Sequence, residues 1–231
     1  MAIKTQDITR ADLHGYLAQP DGEAEGGVLI LPTIFAVNQF AKGFADELAN
    51  AGLAAAVWDP YSGLPLVADY EESRKRSRTL TDGGVATTLS KWLEFMLGDL
   101  RLNSLGTIGF CLGGRFALLL AAQDKRIKAC AVAYPTIETP MLSNQEQDAL
   151  ALARDIRCPV HLIQPGHDHV TSEDTYVKLK EGLHKRSAAT TVQFYADAEH
   201  GFMHRKEPDA NRTATALATP QAIAFLKACL L

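Results

Sequence analysis

The stretch Gly109-Phe110-Cys111-Leu112-Gly113-Gly114 decides which fold this chain adopts. The short apolar run 104–108 before it predicts a strand, and the apolar run 115–122 after it predicts a helix. Cys111 therefore lies in a tight strand-to-helix turn. The glycines at 109 and 113 fit the G-x-S-x-G pattern of a nucleophile elbow, with Cys in place of Ser.

A thiol at the start of a helix is favoured as a thiolate, because the free N–H groups and the positive end of the helix face it. The same N–H groups can stabilise an oxyanion. The alternative is a buried cysteine that packs as a small apolar side chain, which is common for free cysteines. The flanking glycines favour a nucleophile, and no serine in the chain has a comparable setting.

Length and composition indicate one α/β domain that spans residues 1–231. Apolar residues make up 47% of the chain and charged residues 22%, which allows an ordinary hydrophobic core that needs no disulfide bonds or structural metal ions. The net charge of -4 argues against a nucleic-acid partner, since phosphate binding needs clustered and uncompensated Lys and Arg.

The four cysteines, Cys111, Cys130, Cys158 and Cys229, are widely separated and lack C-x-x-C spacing. This pattern predicts reduced thiols rather than a disulfide scaffold or a zinc knuckle, and packing roles for all except Cys111. The N-terminal residues lack the apolar core of a signal peptide, and no apolar run approaches the ~20 residues of a membrane span. We therefore expect a soluble, cytoplasmic protein that does not associate with membranes.

Strand and helix patterns alternate along the chain. The predicted order is a hairpin of strands 3–8 and 13–18, strand 28–31, helix 40–51, strand 53–58, helix 82–100, strand 104–108, helix 115–122, strand 127–133, helix 146–153, strand 159–163, helix 172–184, strand 190–195, and helix 209–230 with a break or restart at Pro220. The segment 61–81 is too long for a simple connection and too charged for the core. Such alternation predicts a mostly parallel sheet with helices on both faces.

A nucleophile at an elbow needs a base, and the base needs a group that orients it. Asp168 follows the predicted strand 159–163, and His200 follows the predicted strand 190–195. Cys111, Asp168 and His200 thus stand in the nucleophile–acid–base order of the α/β-hydrolases. Because each lies beyond the carboxyl end of a parallel strand, all three can meet at one edge of the sheet.

Structural roles remain as alternatives for these residues. A loop histidine beside glycine is often solvated, and an aspartate after a strand often caps a helix. Asp197 and Glu199 are rival acids, but they share the loop of His200, whereas the orienting carboxylate usually follows the preceding strand. His167 and His169 form an H-x-H pattern that could bind a metal with His200 or His204, but spacing alone is weak and we predict no metal site.

The chain resembles the dienelactone hydrolase family, a group of α/β-hydrolases with a cysteine nucleophile. The motifs that carry the resemblance are Ile34–Asn38, Trp58–Tyr61, Gly109–Gly114, Gly166–Asp168 and Glu199–Phe202. The resemblance implies the α/β-hydrolase fold, a triad of Cys111, Asp168 and His200, and an oxyanion hole formed by the backbone N–H groups of Leu112 and Ile34. That hole agrees with the general rule for this fold, which uses the residue after the nucleophile and the loop after the third strand.

Two positions depart from the family pattern. Thr33 stands where the family carries a Glu that controls ionisation of the cysteine, so we expect His200 to form the thiolate directly and the substrate range to differ. A capping or packing role is the alternative for Thr33. The arginine that the family places shortly after the histidine falls at His204, with Arg205 beside it.

Other residues are candidates for substrate binding. A carboxylate could be bound by the arginines of the charged segment, Arg74, Arg76 and Arg78, although these also fit the solvated face of a helix. Candidate pocket walls are Phe35, Trp58 and Tyr134, although aromatic residues are more often part of the core.

Together these features predict a hydrolase of a small-molecule ester, lactone or thioester that works through a cysteinyl acyl-enzyme, needs no cofactor, and is a monomer or homodimer. The alternative is a non-hydrolytic relative that binds a ligand or uses Cys111 as a redox-sensitive thiol, because a fold does not fix a function.

Overall fold

Residues 2–10, 12–205 and 207–231 are described by the structure of the protein, a computed structural model. Its sheet has the strands β1 (Ile3–Arg10), β2 (Leu13–Pro20), β3 (Gly26–Leu31), β4 (Ala54–Trp58), β5 (Ser104–Phe110), β6 (Ile127–Ala133), β7 (Val160–His167) and β8 (Thr190–Glu199). The helices are α1 (Gln39–Asn50), α2 (Tyr70–Ser77), α3 (Asp82–Gly98), α4 (Leu112–Gln123), α5 (Ala149–Leu152), α6 (Glu173–His184) and α7 (Asp209–Leu230), with 3₁₀ turns at Ala153–Asp155 and Phe202–His204.

The strands pair in the order β1-β2-β4-β3-β5-β6-β7-β8. β1 and β2 form the predicted antiparallel hairpin, and β2 is also antiparallel to β4. The remaining pairs are parallel. The predicted α/β fold with a mostly parallel sheet is confirmed, and the carboxyl ends of β3, β5, β6, β7 and β8 lie along one edge.

The core is divided by the sheet. Leu29 and Leu31 of β3 pack in one apolar cluster with α3, α4 and α6, whereas Val28 and Ile30 pack in a second cluster with α1 and α7. Because successive side chains of a strand point to opposite faces, the two clusters lie on opposite sides of the sheet. Every residue of β3 is buried, as a strand covered on both faces requires.

Helix α7 is unbroken, so the predicted interruption at Pro220 is wrong. Proline removes one backbone hydrogen bond and usually bends or ends a helix. Here the buried positions recur every four residues and hold the helix against the sheet; they are Ala214, Ala218, Ala222, Leu226 and Leu230. At 22 residues α7 is the longest described helix, yet neither it nor any other described helix could cross a membrane.

The predicted helix 146–153 is shorter in the structure, where α5 covers only Ala149–Leu152 before a 3₁₀ turn. The backbone N–H groups of Glu146 and Gln147 each donate to the Asp82 carboxylate at 2.8 Å. These two residues are therefore held to the start of α3, and α5 begins after Asp148, whose side chain accepts from the N–H groups of Leu150 and Ala151 at 2.9 and 3.2 Å.

The charged segment 61–81 contains the short helix α2. Asp69 caps its start, because the side chain accepts a hydrogen bond from the N–H of Glu72 at 2.8 Å. Ser73 is the one buried residue of α2. The helix is therefore mostly solvated, as the alternative interpretation of the arginine cluster predicted.

A buried ion pair joins α3 to α4. Arg115 donates to the Asp82 carboxylate at 2.6 and 2.9 Å, and each side chain is only 2% exposed. Arg115 also donates to the carbonyl of Gln147 at 2.8 Å. Because Arg115 lies in the first turns of α4, the pair fixes the helix that begins directly after Cys111.

Replacing Asp82 with Asn should lower the free energy of unfolding by about 3 kcal/mol, because the Arg115 guanidinium then stays buried without a charged partner. Urea unfolding at pH 7 measures this. Asp21→Asn is the matched control, since Asp21 pairs with Lys4 in an exposed ion pair and its loss should leave the midpoint nearly unchanged. Equal, small effects of the two substitutions would contradict a structural role for the buried pair.

Candidate active site

Cys111 occupies a strained turn between β5 and α4. Its φ of 53° and ψ of -117° lie outside the regions that most residues adopt. A Cβ added at Gly109 would lie 2.1 Å from the carbonyl oxygen of Gly113, and one added at Gly113 would lie 2.0 Å from that of Leu31. Both positions therefore require glycine, and the thiol is held at the first turn of α4.

His200 and Asp168 are in direct contact. Nδ1 of His200 lies 2.9 and 3.0 Å from the two carboxylate oxygens, and both side chains are almost fully buried. Because an ionised carboxylate only accepts hydrogen bonds, Nδ1 carries a hydrogen and Nε2 is left for other chemistry. Nε2 is buried and makes no hydrogen bond of regular geometry to any described residue.

Asp168 is itself held by three donors. The N–H groups of Val170 and Thr171 donate to one oxygen at 2.8 Å each, and the hydroxyl of Tyr176 donates to the other at 2.7 Å. Burial alone would raise the pKa of Asp168, but the hydrogen bond and charge of His200, with these donors, lower it. The carboxylate is therefore ionised and fixed in orientation.

The thiol and the imidazole favour each other's charged forms. Burial would raise the pKa of Cys111, but the hydrogen bond and positive charge of His200 outweigh it and lower that pKa. Burial opposes charge on His200 as well, yet its interactions with Asp168 and Cys111 raise its pKa to about 9. The arrangement supports a thiolate–imidazolium pair at neutral pH.

The rival acids do not reach His200. Asp197 and Glu199 lie within β8 rather than in the loop after it, which corrects the sequence interpretation. Asp197 is exposed, and Glu199 contacts Asn211, whose side chain accepts from the Glu199 N–H at 3.0 Å. Among the described carboxylates, Asp168 is the one within hydrogen-bond distance of His200.

Two backbone N–H groups near the thiol are available to a ligand. Leu112 is the first residue of α4, where an N–H has no partner within the helix, and this N–H favours the thiolate of Cys111. Ile34 follows β3, and its N–H has no hydrogen-bond acceptor among the described residues. The hydroxyl of Tyr61 donates to the carbonyl of Ile34 at 3.0 Å and so fixes this turn.

A cavity of about 310 Å³ opens beside the thiol. Its walls are formed by Thr33, Ile34, Phe35, Tyr70, Arg74, Ser77, Cys111, Leu112, Thr136, Glu138, His169, Val170, His200, His204 and Arg205. The predicted triad members Cys111 and His200 therefore face the same space as the predicted substrate-binding residues Thr33, Phe35, Arg74 and His204.

Three of the predicted pocket residues do not line this cavity. Trp58 is buried and packs edge-on against Phe116, with ring centroids 5.9 Å apart. Tyr134 is fully buried behind His200, whose ring lies edge-on to it at 5.3 Å. Arg78 is the C-cap residue of α2, is exposed to solvent and does not line the cavity.

Arg74 is thus the arginine of α2 that reaches the cavity. Arg76 donates to the carbonyl of Pro65 at 2.8 Å and pairs with Glu72 at 3.6 Å. Its contacts therefore stabilise the charged segment 61–81 and do not reach the cavity. Arg74 is half exposed and pairs loosely with Glu71 at 3.7 Å. The alternative of a solvated position therefore describes Arg78, whereas Arg76 is bonded within the segment and Arg74 lines the cavity.

The other cysteines are remote from this chemistry. Cys130 and Cys158 are buried, and burial raises the pKa of both thiols, that of Cys158 to about 11. Cys229 lies half-buried on α7, and burial raises its pKa as well. All are free thiols, and within the described part of the chain no cluster of three or more His, Cys, Asp or Glu could hold a metal ion.

The family follows from comparison with known proteins. Residues 13–230 match the profile of the "Dienelactone hydrolase family". The chain belongs to the dienelactone hydrolase family. It is accordingly a dienelactone hydrolase-like hydrolase.

Relatives are distant but similar in length and fold. A carboxymethylenebutenolidase from Rhodococcus opacus is 27% identical over 206 residues, which cover 87% of this chain and 80% of that protein. The structure of a dienelactone hydrolase from Anabaena variabilis has a TM-score of 0.74 at 20% identity and covers 99% of each chain. A dienelactone hydrolase-like promiscuous phosphotriesterase from metagenomic libraries has a TM-score of 0.83 at 18% identity and covers 100% of each chain.

The two departures from the dienelactone hydrolase pattern occupy the cavity wall. Thr33 is 2% exposed, and its hydroxyl oxygen accepts a hydrogen bond from the N–H of Phe35 at 3.2 Å, which is the capping role predicted as an alternative. Burial, with repulsion from Arg205 and His200, lowers the pKa of His204 to about 4. This family member therefore has an uncharged hydroxyl and an uncharged imidazole at these positions at neutral pH.

Sequence reasoning missed several groups that shape the site of this dienelactone hydrolase relative. Tyr176 orients Asp168 from within α6, and Thr136 lies with its hydroxyl oxygen 3.2 Å from the sulfur of Cys111. Glu138 lines the cavity and accepts a hydrogen bond from Gln145 at 2.7 Å. Tyr176 could not be recognised, since its position in the sequence is that of an ordinary apolar helix residue. Thr136 and Glu138 could have been recognised, because they follow β6 at the same sheet edge as the triad.

Alkylation of Cys111 by iodoacetamide should remain fast below neutral pH, because His200 holds a proton up to about 9 and lowers the pKa of the thiol. The rate is followed against pH by mass spectrometry of the Cys111 peptide. His200→Gln should move the midpoint up to or beyond the ~8.5 of a free thiol. A wild-type midpoint already at that value would contradict the ion pair.

Proposed function

We propose that this dienelactone hydrolase-like protein hydrolyses small esters or lactones through a covalent thioester on Cys111. The observation that carries the proposal is the convergence of an activated thiol, an Asp-oriented imidazole and two available N–H groups on one cavity. Cys111 is the nucleophile, His200 the acid and base, and Asp168 the group that orients His200.

In the first half-reaction, the sulfur of Cys111 forms a bond to the substrate carbonyl carbon, and the carbonyl electron pair moves onto its oxygen. The N–H groups of Ile34 and Leu112 stabilise this oxyanion. When the tetrahedral intermediate collapses, the bond to the leaving oxygen breaks, and Nε2 of His200 gives that oxygen its proton. The product is an alcohol, or the freed hydroxyl of an opened lactone, and a thioester.

In the second half-reaction, the now neutral Nε2 of His200 removes a proton from water, and the hydroxide attacks the thioester carbonyl. Collapse expels the Cys111 thiolate and releases the carboxylic acid. His200 keeps the proton, so the thiolate–imidazolium pair is restored. Asp168 compensates the positive charge on His200 in both halves.

The cavity supports a small substrate with a polar acid portion. Its volume of about 310 Å³ is at the lower end for ligand pockets. Arg74 and Arg205 place positive charge on its wall, and Glu138 adds a negative charge. Arg74 is the group we propose for contact with an acidic substituent, since a guanidinium can bind a carboxylate through two hydrogen bonds.

Cys111→Ala should lower kcat/KM for a p-nitrophenyl ester by about 10³-fold or more while leaving the unfolding transition unchanged. Cys111→Ser should retain weak activity, because His200 must then deprotonate an alcohol. Cys229→Ala is the matched control and should keep full activity. Undiminished turnover by Cys111→Ala would refute the mechanism, and a reactive Cys111 in a wild-type protein that turns over no ester would favour the redox-sensitive thiol instead.

Asp168→Asn should reduce kcat by roughly 10⁴-fold, the size of effect that a wrong histidine tautomer has in a serine protease. The Asn oxygen can still accept from the N–H groups of Val170 and Thr171, so the loop should keep its shape. Asp197→Asn and Glu199→Gln test the rival acids under the same assay. Near wild-type activity of Asp168→Asn, with loss in either rival, would reassign the orienting acid.

A further inference from the structure

The hydroxyl of Thr136 lies 3.2 Å from the sulfur of Cys111, within hydrogen-bond distance for sulfur. We propose that Thr136 is a further catalytic residue, which donates its hydroxyl hydrogen to the Cys111 thiolate and stabilises it for attack. This inference deepens the proposed function, since it assigns a second side chain to the activation of the same nucleophile.

The backbone fixes Thr136 relative to the nucleophile. The N–H of Thr136 donates to the carbonyl of Cys111 at 2.9 Å, and the N–H of Cys111 donates to the carbonyl of Ala133 at 3.1 Å. The segment 133–136 therefore curls around Cys111, through a turn in which Tyr134 has a φ of 39°. These main-chain contacts hold the backbone of Thr136 beside Cys111, from where its hydroxyl reaches the sulfur.

The packing of this segment against α4 leaves little freedom. A Cβ added at Gly114 would lie 2.8 Å from the backbone of Pro135. Thr171, in the loop after Asp168, donates its hydroxyl to the carbonyl of Pro135 at 2.8 Å and accepts from the N–H of Ile137 at 3.2 Å. The residues on both sides of Thr136 are thus fixed to the loop that carries the orienting acid.

The direction of the hydrogen bond follows from the charge on sulfur. A thiolate has no hydrogen to give and only accepts, whereas a threonine hydroxyl can donate. Among the described residues, the sulfur of Cys111 is the single hydrogen-bond partner of the Thr136 hydroxyl. Its hydrogen therefore points to the thiolate whenever the proton of the thiol resides on His200.

Thr33 also lines the cavity, but its hydroxyl oxygen accepts from the N–H of Phe35 in its own turn, and among the described residues the hydroxyl within hydrogen-bond distance of the sulfur is that of Thr136. The groups that favour the thiolate are therefore His200, Thr136 and the Leu112 N–H. A hydrogen bond to a charged acceptor is stronger than one between neutral groups. Loss of the Thr136 hydroxyl should therefore destabilise the thiolate and raise the pKa of Cys111 measurably.

Other charged groups face the same cavity, and the test must hold them constant. The charged and titratable side chains among them are Arg74 from α2, Glu138 after β6, His169 beside Asp168, His200, and His204 and Arg205 after it. Three tyrosines near the sulfur, Tyr61, Tyr134 and Tyr176, stay neutral because burial raises their pKa. Substitution of Thr136 by Val changes none of these groups and keeps the shape of the side chain.

The test is the pH profile of Cys111 alkylation in Thr136→Val, Thr136→Ala and Thr136→Ser. We expect the midpoint of Val and Ala to rise by about one pH unit, because one hydrogen bond to a charge corresponds to roughly that shift. Thr136→Ser retains the hydroxyl and should keep the wild-type midpoint. Thr139→Val is the matched control, since the Thr139 hydroxyl bonds to that of Thr175 and not to the sulfur.

Ester turnover separates this inference from the proposed function. At a pH below the alkylation midpoint, kcat/KM of Thr136→Val should fall about 10-fold relative to wild type. This loss should become smaller as the pH rises, because the thiol of the variant then ionises as well. An unchanged alkylation midpoint in both Val and Ala, or a shift in Ser as large as in Val, would overturn the role of Thr136. Turnover that survives Cys111→Ala would instead overturn the proposed function, whatever the alkylation profiles show.

Discussion

The close approach of β3 to the start of α4 is the constraint on which the site depends. The carbonyl of Leu31 lies where a side chain at position 113 would begin, and the carbonyl of Gly113 lies where one at position 109 would begin. Only glycine permits this crossing, and the crossing forces Cys111 into its unusual backbone conformation. The thiol is consequently raised above the sheet edge, at the positive end of a helix and next to the turn that contains Ile34.

Hydrogen bonds then connect the loops that follow separate strands into one framework. Thr171 joins the loop of Asp168 to the segment after β6, and that segment is bonded through Thr136 and Ala133 to Cys111. Tyr61 ties the turn of Ile34 to the segment before α2. Each bond contributes only about 1 kcal/mol to stability, but together they hold the reacting groups in one relative orientation, and a misplacement of about 1 Å would already slow the reaction.

The three residues of the candidate triad could be predicted from the sequence more reliably than the residues that surround them. The elbow at Cys111, the acid at Asp168 and the base at His200 could be predicted because local pattern and strand order place them, whereas their catalytic roles remain proposals. Trp58 and Tyr134 were candidates for the pocket wall and belong to the core, which was the alternative for both, since a residue at a strand end can face the core as readily as the cavity. Tyr176 could not be found, because its hydroxyl meets Asp168 only through the packing of α6. Elements were also misjudged where tertiary contacts override local signals, as for Pro220 in α7 and for Glu146, whose N–H is bound by Asp82.

The central claim is that hydrolysis passes through an acyl group on the sulfur of Cys111. The most direct measurement is to mix the protein with p-nitrophenyl acetate, quench with acid during the first turnovers, and locate any acetyl group by peptide mass spectrometry. Our account predicts an acetyl thioester on the peptide that carries Cys111, which disappears once the ester is consumed. An acetyl group that forms and turns over on a different side chain, with Cys111 unmodified, would contradict it.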